Sequence, residues 1–250
     1  MIYIKSKSEI ELMKIAGRVT GETLKLVEES VKPGVTTAEL NQIADKYIRS
    51  QGCIPSFKNY NGFPGSVCAS VNDVIIHGFP SNVPLKEGDV LSIDVGACYK
   101  GYHGDAARTF GVGKISEEAQ RLINVTKESF FEAAKFAKEG YRVGDISLAV
   151  QSYVEENGFS ILRDYCGHGI GAKLHEEPDI PNYVSRNGRG QRFKAGMVIC
   201  VEPMVNQGDK EYYVGDDDWA VITADGKLSA HYENTIWITD GEPVFLTLID

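Results

Sequence analysis

The sequence predicts an α+β fold in which helices cover a largely antiparallel sheet, built as two similar halves. Three observations carry this. The order helix, helix, strands occurs twice along the 250 residues. A faint internal repeat, offset by 106 positions, relates Lys32, Gly34, Glu39, Leu40, Tyr47 and Gly52 to Lys138, Gly140, Asp145, Ile146, Tyr153 and Gly158. The run Val90–Gly96 alternates with period two, which is the signature of a half-buried strand.

The elements follow in order. Ser6 and Glu9 have the spacing of a capping box, and Ile10, Met13, Ala16, Thr20, Leu24 and Val27 then keep helical spacing to about Ser30. Pro33-Gly34 is a turn. Thr36 and Glu39 form a second capping box for a helix to about Gln51, which Gly52 ends. Residues 57–66 read as a loop. Strands are expected at Val67–Val71, Val74–Ile76, Val90–Cys98 and Gly104–Gly111. Helical patterns return at Ser116–Lys138 and Asp145–Asn157, and short strands and Gly-rich loops follow from Phe159. The chain is expected to be one domain over residues 1–250, with halves of roughly 1–110 and 111–250 and a site between them.

Composition narrows the function. Lys and Arg number 26 against 35 Asp and Glu, a formal charge of −9, which disfavours a nucleic-acid binder. Five cysteines, none in a Cys-x-x-Cys pair, point to free thiols in a reducing compartment. Charged residues interrupt the first 18 positions, so no signal peptide is expected, and no stretch is apolar enough to span a membrane. A cytoplasmic protein is the simplest expectation.

Several carboxylates stand where strands should be apolar. In Val90–Gly96, Leu91, Ile93 and Val95 face one side while Ser92 and Asp94 face the other. A tight hairpin centred on Tyr99-Lys100 would set Asp94 directly opposite Asp105. Facing like charges destabilise a sheet unless a cation intervenes or both side chains reach water. Glu202 ends the apolar run Val198–Val201, and Glu233 lies in a β-rich run with Tyr232, Thr235, Ile236 and Trp237. His168 is flanked by glycines in Cys166–Gly171, His175 precedes Glu176-Glu177-Pro178, and His77 follows a strand. Any one of these residues suits an ordinary structural role. Four carboxylates with an imidazole suit hard or borderline divalent ions, and bridging carboxylates can hold two. Other signatures fail. His175–Asp179 lacks the second histidine of a zincin helix, and there is no phosphate loop or dinucleotide fingerprint.

Together, His77-Gly78, Asp94, Asp105, Cys166–Gly171, His175–Pro178, Glu202-Pro203 and Tyr232-Glu233 resemble the type I methionine aminopeptidases, over nearly the whole chain. The resemblance implies the pita-bread fold, two α+β halves about a pseudo-two-fold axis. It implies two divalent ions (Co, Mn, Fe, Zn or Ni). Asp94 would hold one, His168 and Glu202 the other, and Asp105 and Glu233 would bridge both. A water shared by the ions would attack the carbonyl after the initiator methionine, with Glu202 shuttling its proton. His175 would hydrogen-bond the scissile carbonyl and His77 would orient the peptide. Tyr60, Phe63, Cys68 and Trp219 would line the methionine pocket. Phe57, Asn61 and Leu174 depart from members that carry Cys, His and Phe there, which bears on pocket size.

The resemblance further implies nascent polypeptide N-termini as substrates at the ribosome, no specific nucleic acid, no membrane and a monomer. The lack of a zinc-binding N-terminal extension favours the bacterial form. A short stretch between His175 and Glu233 favours type I over type II. The lack of a preceding domain disfavours the prolidase and aminopeptidase P relatives. Two other readings are a non-catalytic pita-bread module, which would generally lose ligands, and a related metallopeptidase with another N-terminal specificity.

Overall fold

The structure is a computed structural model that describes residues 2–185 and 188–249. Helix α1 (Lys7–Ser30) begins at the expected capping box: the Ser6 side chain accepts from the Glu9 amide, and the Glu9 carboxylate accepts from the Ser6 amide at 2.7 Å. Its buried stripe of Ile10, Met13, Ala16, Thr20, Leu24 and Val27 faces the sheet. Helix α2 (Thr37–Ser50) has the same cap at Thr36 and Glu39. Strands β1 (Ile54–Pro55), β2 (Val67–Val71), β3 (Val74–Ile76), β4 (Val90–Tyr99) and β5 (Tyr102–Gly111) follow. Between β1 and β2, the expected loop contains one 3₁₀ turn, Tyr60–Gly62.

The second half repeats this order with α3 (Glu117–Ala134) and α4 (Val143–Glu156). Helix α3 stops short of the expected Lys138. Beyond Ala134 the amides of Phe136 and Ala137 bond carbonyls only three residues back, at 3.0 Å, so the chain tightens and leaves the helix. Both bounds of α4 are those of α2 displaced by 106 positions. Gly52 and Gly158 follow these helices with φ of 71° and 76°, the left-handed turn-out that glycine adopts without strain. Strands β6 (Ser160–Ile161), β7 (Cys166–Gly169), β8 (Glu176–Pro181), β9 (Val198–Val201), β10 (Met204–Asn206), β11 (Tyr212–Val214), β12 (Val221–Thr223), β13 (Ser229–His231), β14 (Asn234–Trp237) and β15 (Val244–Phe245) complete the chain.

Every recorded strand pairing is antiparallel. One apolar core lies between α1, α2 and β2, β4 and β5, around Leu40, Ile48, Leu91 and Ile93. Another lies between α3, α4 and the second-half strands, around Phe130, Ile146, Ile199 and Ile236.

The β4–β5 hairpin corrects one expectation. Its turn is Lys100-Gly101, with φ of 48° and 84°, and Tyr99 pairs with Tyr102. Asp94 therefore faces Ala107 and Asp105 faces Gly96. The two acids are diagonal neighbours, still on one face, rather than directly opposed. The cause is the preference of a two-residue hairpin turn for positive φ at both positions, which Gly101 meets and Tyr99 would not.

Candidate metal centre and substrate pocket

The register builds the site. β9 and β14 pair Val201 with Asn234, while β10 and β13 pair Met204 with His231. One register runs through both pairs, so Glu202 and Glu233 oppose each other in the break between them. The Glu233 amide donates to the Ala107 carbonyl at 3.0 Å, and the Ala107 amide donates to the Glu233 carbonyl at 3.4 Å. Ala107 pairs with Asp94, and Asp94 with Cys68. A row of side chains thus crosses the molecule: Cys68, Asp94, Ala107, Glu233, Glu202.

A second row runs beside it. Cys200 pairs with Thr235, whose hydroxyl accepts from the Asp105 amide at 3.0 Å and donates to the Asp105 carbonyl at 2.8 Å. Gly169 pairs with Ile199, which carries His168 to Cys200. Strand side chains alternate, so all these residues share one face. Ligand atoms of Asp105, His168, Cys200 and Glu233 lie within 4.8 Å of one another.

The electrostatics are those of a cation site. Oδ1 of Asp94, Oδ1 of Asp105 and Oε1 of Glu233 are buried without a hydrogen-bond partner. None of the ion pairs that Lys or Arg forms among the described residues reaches these acids. Burial pushes Asp94 up to about 7. Burial and then mutual repulsion push Asp105, Glu202 and Glu233 well above the usual carboxylate range. His168 is moved the other way, to about 3, chiefly by burial, so its ring is neutral.

Nδ1 of His168 lies 2.9 Å from the Gly169 carbonyl, which can only accept. The ring proton is therefore on Nδ1, and Nε2 turns a lone pair toward Glu202 Oε1, 3.6 Å away. A neutral imidazole lone pair converging with four buried acids fits a divalent cation, and the oxygen-plus-imidazole donor set is the right chemistry.

The shifts give a testable sign. Acids whose folded pKa lies above the unfolded value near 4 stabilise the fold below that value and lose this contribution as pH rises through the folded range. The metal-free protein is expected to lose thermal stability across roughly pH 4 to 7 through this cluster, and added Mn²⁺ should remove the loss. Melting curves with chelator and with Mn²⁺ check it. A chelated protein that gains stability from pH 5 to 7 while Mn²⁺ changes nothing would contradict it.

The cluster floors a cavity of about 270 Å³ that includes Tyr60, Phe63, Cys68, His77, Asp94, Asp105, His168, His175, Glu202, Trp219 and Glu233 in its lining. Phe57 and Leu174 also line it, both buried, and Asn61 lies at its rim. Phe63 packs edge-on against Trp219 at 5.2 Å and against Phe79 at 5.3 Å. Tyr60 and His175 stand at the mouth, where the tyrosine hydroxyl meets Nδ1 of His175 at 2.8 Å. Burial lowers His77 to about 4, and its backbone has a positive φ of 61°. A larger cavity of about 550 Å³ lies on the helical side, between α1 and α3, and among the described residues Glu28 is the only carboxylate in its lining.

Comparison with known proteins follows this geometry. The profile of metallopeptidase family M24 matches residues 11–240. A methionine aminopeptidase of Clostridium perfringens is 55% identical over all of both chains, and methionine aminopeptidase 1 of Bacillus subtilis is 49% identical over 96% of each. The chain belongs to family M24, among its type I methionine aminopeptidases. The crystal structure of the Thermotoga maritima methionine aminopeptidase superposes with a TM-score of 0.97 at 42% identity, over all of both chains. The family's pita-bread architecture is thereby shown. A prolidase from Pyrococcus furiosus, 23% identical with a TM-score of 0.79, shares the fold over 66% of its own length.

All eleven site residues expected from the sequence meet in one cavity of this methionine aminopeptidase fold. Sequence reading missed two neighbours. Cys200 lies between His168 and Thr235 in the second row, and its thiol is pushed up by burial and by Glu233. His231 is buried with Nε2 3.7 Å from Oε2 of Glu202. Both sit two residues from an acid already singled out, on the same strand face, so period-two spacing was the available signal. All five cysteines are free, and no helix among the described residues is long and apolar enough to cross a membrane.

Proposed function

We propose that this chain, a metal-dependent aminopeptidase, removes N-terminal methionine from nascent proteins whose second residue is small and uncharged. The observation that carries the reading is the convergence of Asp94, Asp105, His168, Glu202 and Glu233 at the floor of a pocket lined elsewhere mostly by aromatic and apolar side chains. Two ions would be held, one by Asp94 and the other by His168 and Glu202, with Asp105 and Glu233 shared. The oxygen-rich donor set accepts Co, Mn, Fe, Zn or Ni. Bound divalent ions supply Lewis acidity, which polarises a carbonyl and makes water a nucleophile near neutral pH.

The side chains do the rest. Phe57, Phe63, Leu174, Cys68 and Trp219 take the unbranched thioether side chain, whose sulfur packs well on aromatic faces. Glu202 accepts the proton released as water attacks and passes it to the leaving amine. Tyr60 donates to Nδ1 of His175, which leaves the His175 Nε2–H to donate to the oxyanion that forms on the scissile carbonyl. His77, between Tyr165 and Trp219, orients the peptide over the acids.

The matching element order of the halves supports one catalytic unit built by duplication, roughly residues 1–110 and 111–250. The substrate itself supports work at the ribosome in the cytoplasm.

A Met-Ala-Ser peptide and a Met-Leu-Ser peptide test the specificity. The first is expected to be cleaved at least about tenfold faster in kcat/KM, a difference of about 1.4 kcal/mol. Equal cleavage would contradict the preference for a small second residue.

A further inference from the structure

The stretch that carries His175 has no helix or strand of its own: residues 170–175 join β7 to β8 as a loop. Short bonds fold it on itself. The Gly171 amide donates to the Lys173 carbonyl at 3.0 Å, and the Lys173 amide donates to Oε1 of Glu176 at 3.1 Å. At the root of the loop, the Gly171 carbonyl accepts from the His103 amide at 2.9 Å. The Glu176 carboxylate therefore closes the loop in which His175 is its neighbour. A carboxylate on a flexible side chain is only as fixed as its own partners.

Its partner comes from 171 positions away. Lys5 Nζ donates to Oε2 of Glu176 at 2.5 Å, and the two side chains are only 5% and 4% exposed. Nζ also donates to the Tyr3 carbonyl at 3.4 Å. The Lys5 amide donates at 2.8 Å to the carbonyl of Gly196, in the turn before β9, which pins the backbone of this cation. Gly171 makes room for the pair: a Cβ there would lie 2.5 Å from Cε of Lys5 and 2.7 Å from Oε1 of Glu176. A buried ion pair adds little net stability, because desolvation offsets the attraction, yet either charge left alone at that depth is strongly unfavourable. The pair thus specifies one arrangement of the loop more than it strengthens the fold.

We propose that Lys5 is a positioning residue for His175. By holding Oε2 of Glu176 it keeps Oε1 on the Lys173 amide, and the closed loop keeps the His175 ring 4.3 Å from that of His168. This rests on His175 donating to the oxyanion of the proposed reaction. Lys5 touches no substrate and acts only through Glu176 and the loop.

Two variants test it. Lys5→Met keeps the stem and removes the charge. It strands a buried carboxylate, so Lys5→Met combined with Glu176→Gln supplies a pair with neither charge, and it decides if the single variant fails to fold. With a Met-Ala-Ser peptide and Mn²⁺, both are expected to lose about tenfold in kcat, with KM within about twofold and metal content at the parent level, because a small misplacement of a reacting group is costly in rate. In a His175→Ala background the same changes should cost less than about twofold, since the ring they place is gone. Independently of turnover, the Lys173 amide should exchange its hydrogen at least about tenfold faster in both variants than in the parent. Parent-like kcat in the double variant would overturn the proposal. So would an equal loss with and without His175, loss of metal, or unchanged exchange at Lys173. If the parent cleaves no methionyl peptide at all, the proposed function falls, and the exchange rates still decide whether Lys5 holds the loop.

Discussion

Glu233→Ala is expected to fold, to bind less than one divalent ion per chain, and to lose at least about 10³-fold in kcat/KM, about 4 kcal/mol of transition-state stabilisation. Glu233 is 2% exposed, its Oε1 has no partner, and it stands between Glu202 and Ala107 in the row that spans the site. Its contribution to the ladder is by backbone, through the two hydrogen bonds with Ala107, so truncating the carboxylate leaves that pairing in place. The isosteric Glu233→Gln sharpens the test. It removes a charge that burial and Glu202 already disfavour, so the metal-free variant should melt higher than the metal-free parent. It should also gain far less stability from Mn²⁺. Metal analysis beside melting curves reads both. A Glu233→Gln protein that binds and turns over like the parent would sink the shared-ligand role, and Asp105→Asn is expected to behave alike.

His175→Ala is expected to lose about 10²–10³-fold in turnover while metal content stays at the parent level, the cost of one oxyanion donor. His175 stands at the mouth, its ring 4.3 Å from that of His168, and its Nδ1 meets the Tyr60 hydroxyl. Removing it leaves every candidate ligand in place. Tyr60→Phe should cost less, about three- to tenfold, because the ring remains and only the group that holds its tautomer is lost. Kinetics beside metal stoichiometry separates the roles. Metal loss in His175→Ala would mean that the ring supports the ligands rather than the substrate.

What the sequence made legible was local. The capping boxes at Ser6 and Thr36 formed because their partners lie three residues away, and strands β2 and β3 end where Val- and Ile-bearing runs meet Asn-Asp and His-Gly turns. The hairpin register was off by two residues because the turn was placed before Gly101, the residue best suited to its positive φ. Helix α3 was drawn too long because Lys135–Lys138 keeps helical composition while its backbone tightens. The acids were legible through their misfit with apolar strands. His231 and Cys200 had only their period-two spacing from Glu233 and Glu202 to mark them, since each alone is an ordinary core residue. What joins the acids of the two halves is the pairing of Ala107 with Glu233, two positions 126 residues apart that no local pattern connects.

That pairing is also a seam. Asp94 and Asp105 come from the first half, and His168, Glu202 and Glu233 come from the second, so neither half owns a complete set of ligands. Without a cation the seam gathers four mutually repelling acids, held together in part by two backbone hydrogen bonds. With one, the same acids become a clasp. Metal supply is thereby converted into mechanical cohesion, and a chain starved of metal should part first along the line between Ala107 and Glu233, offering its strand edges to proteases before either apolar core has opened.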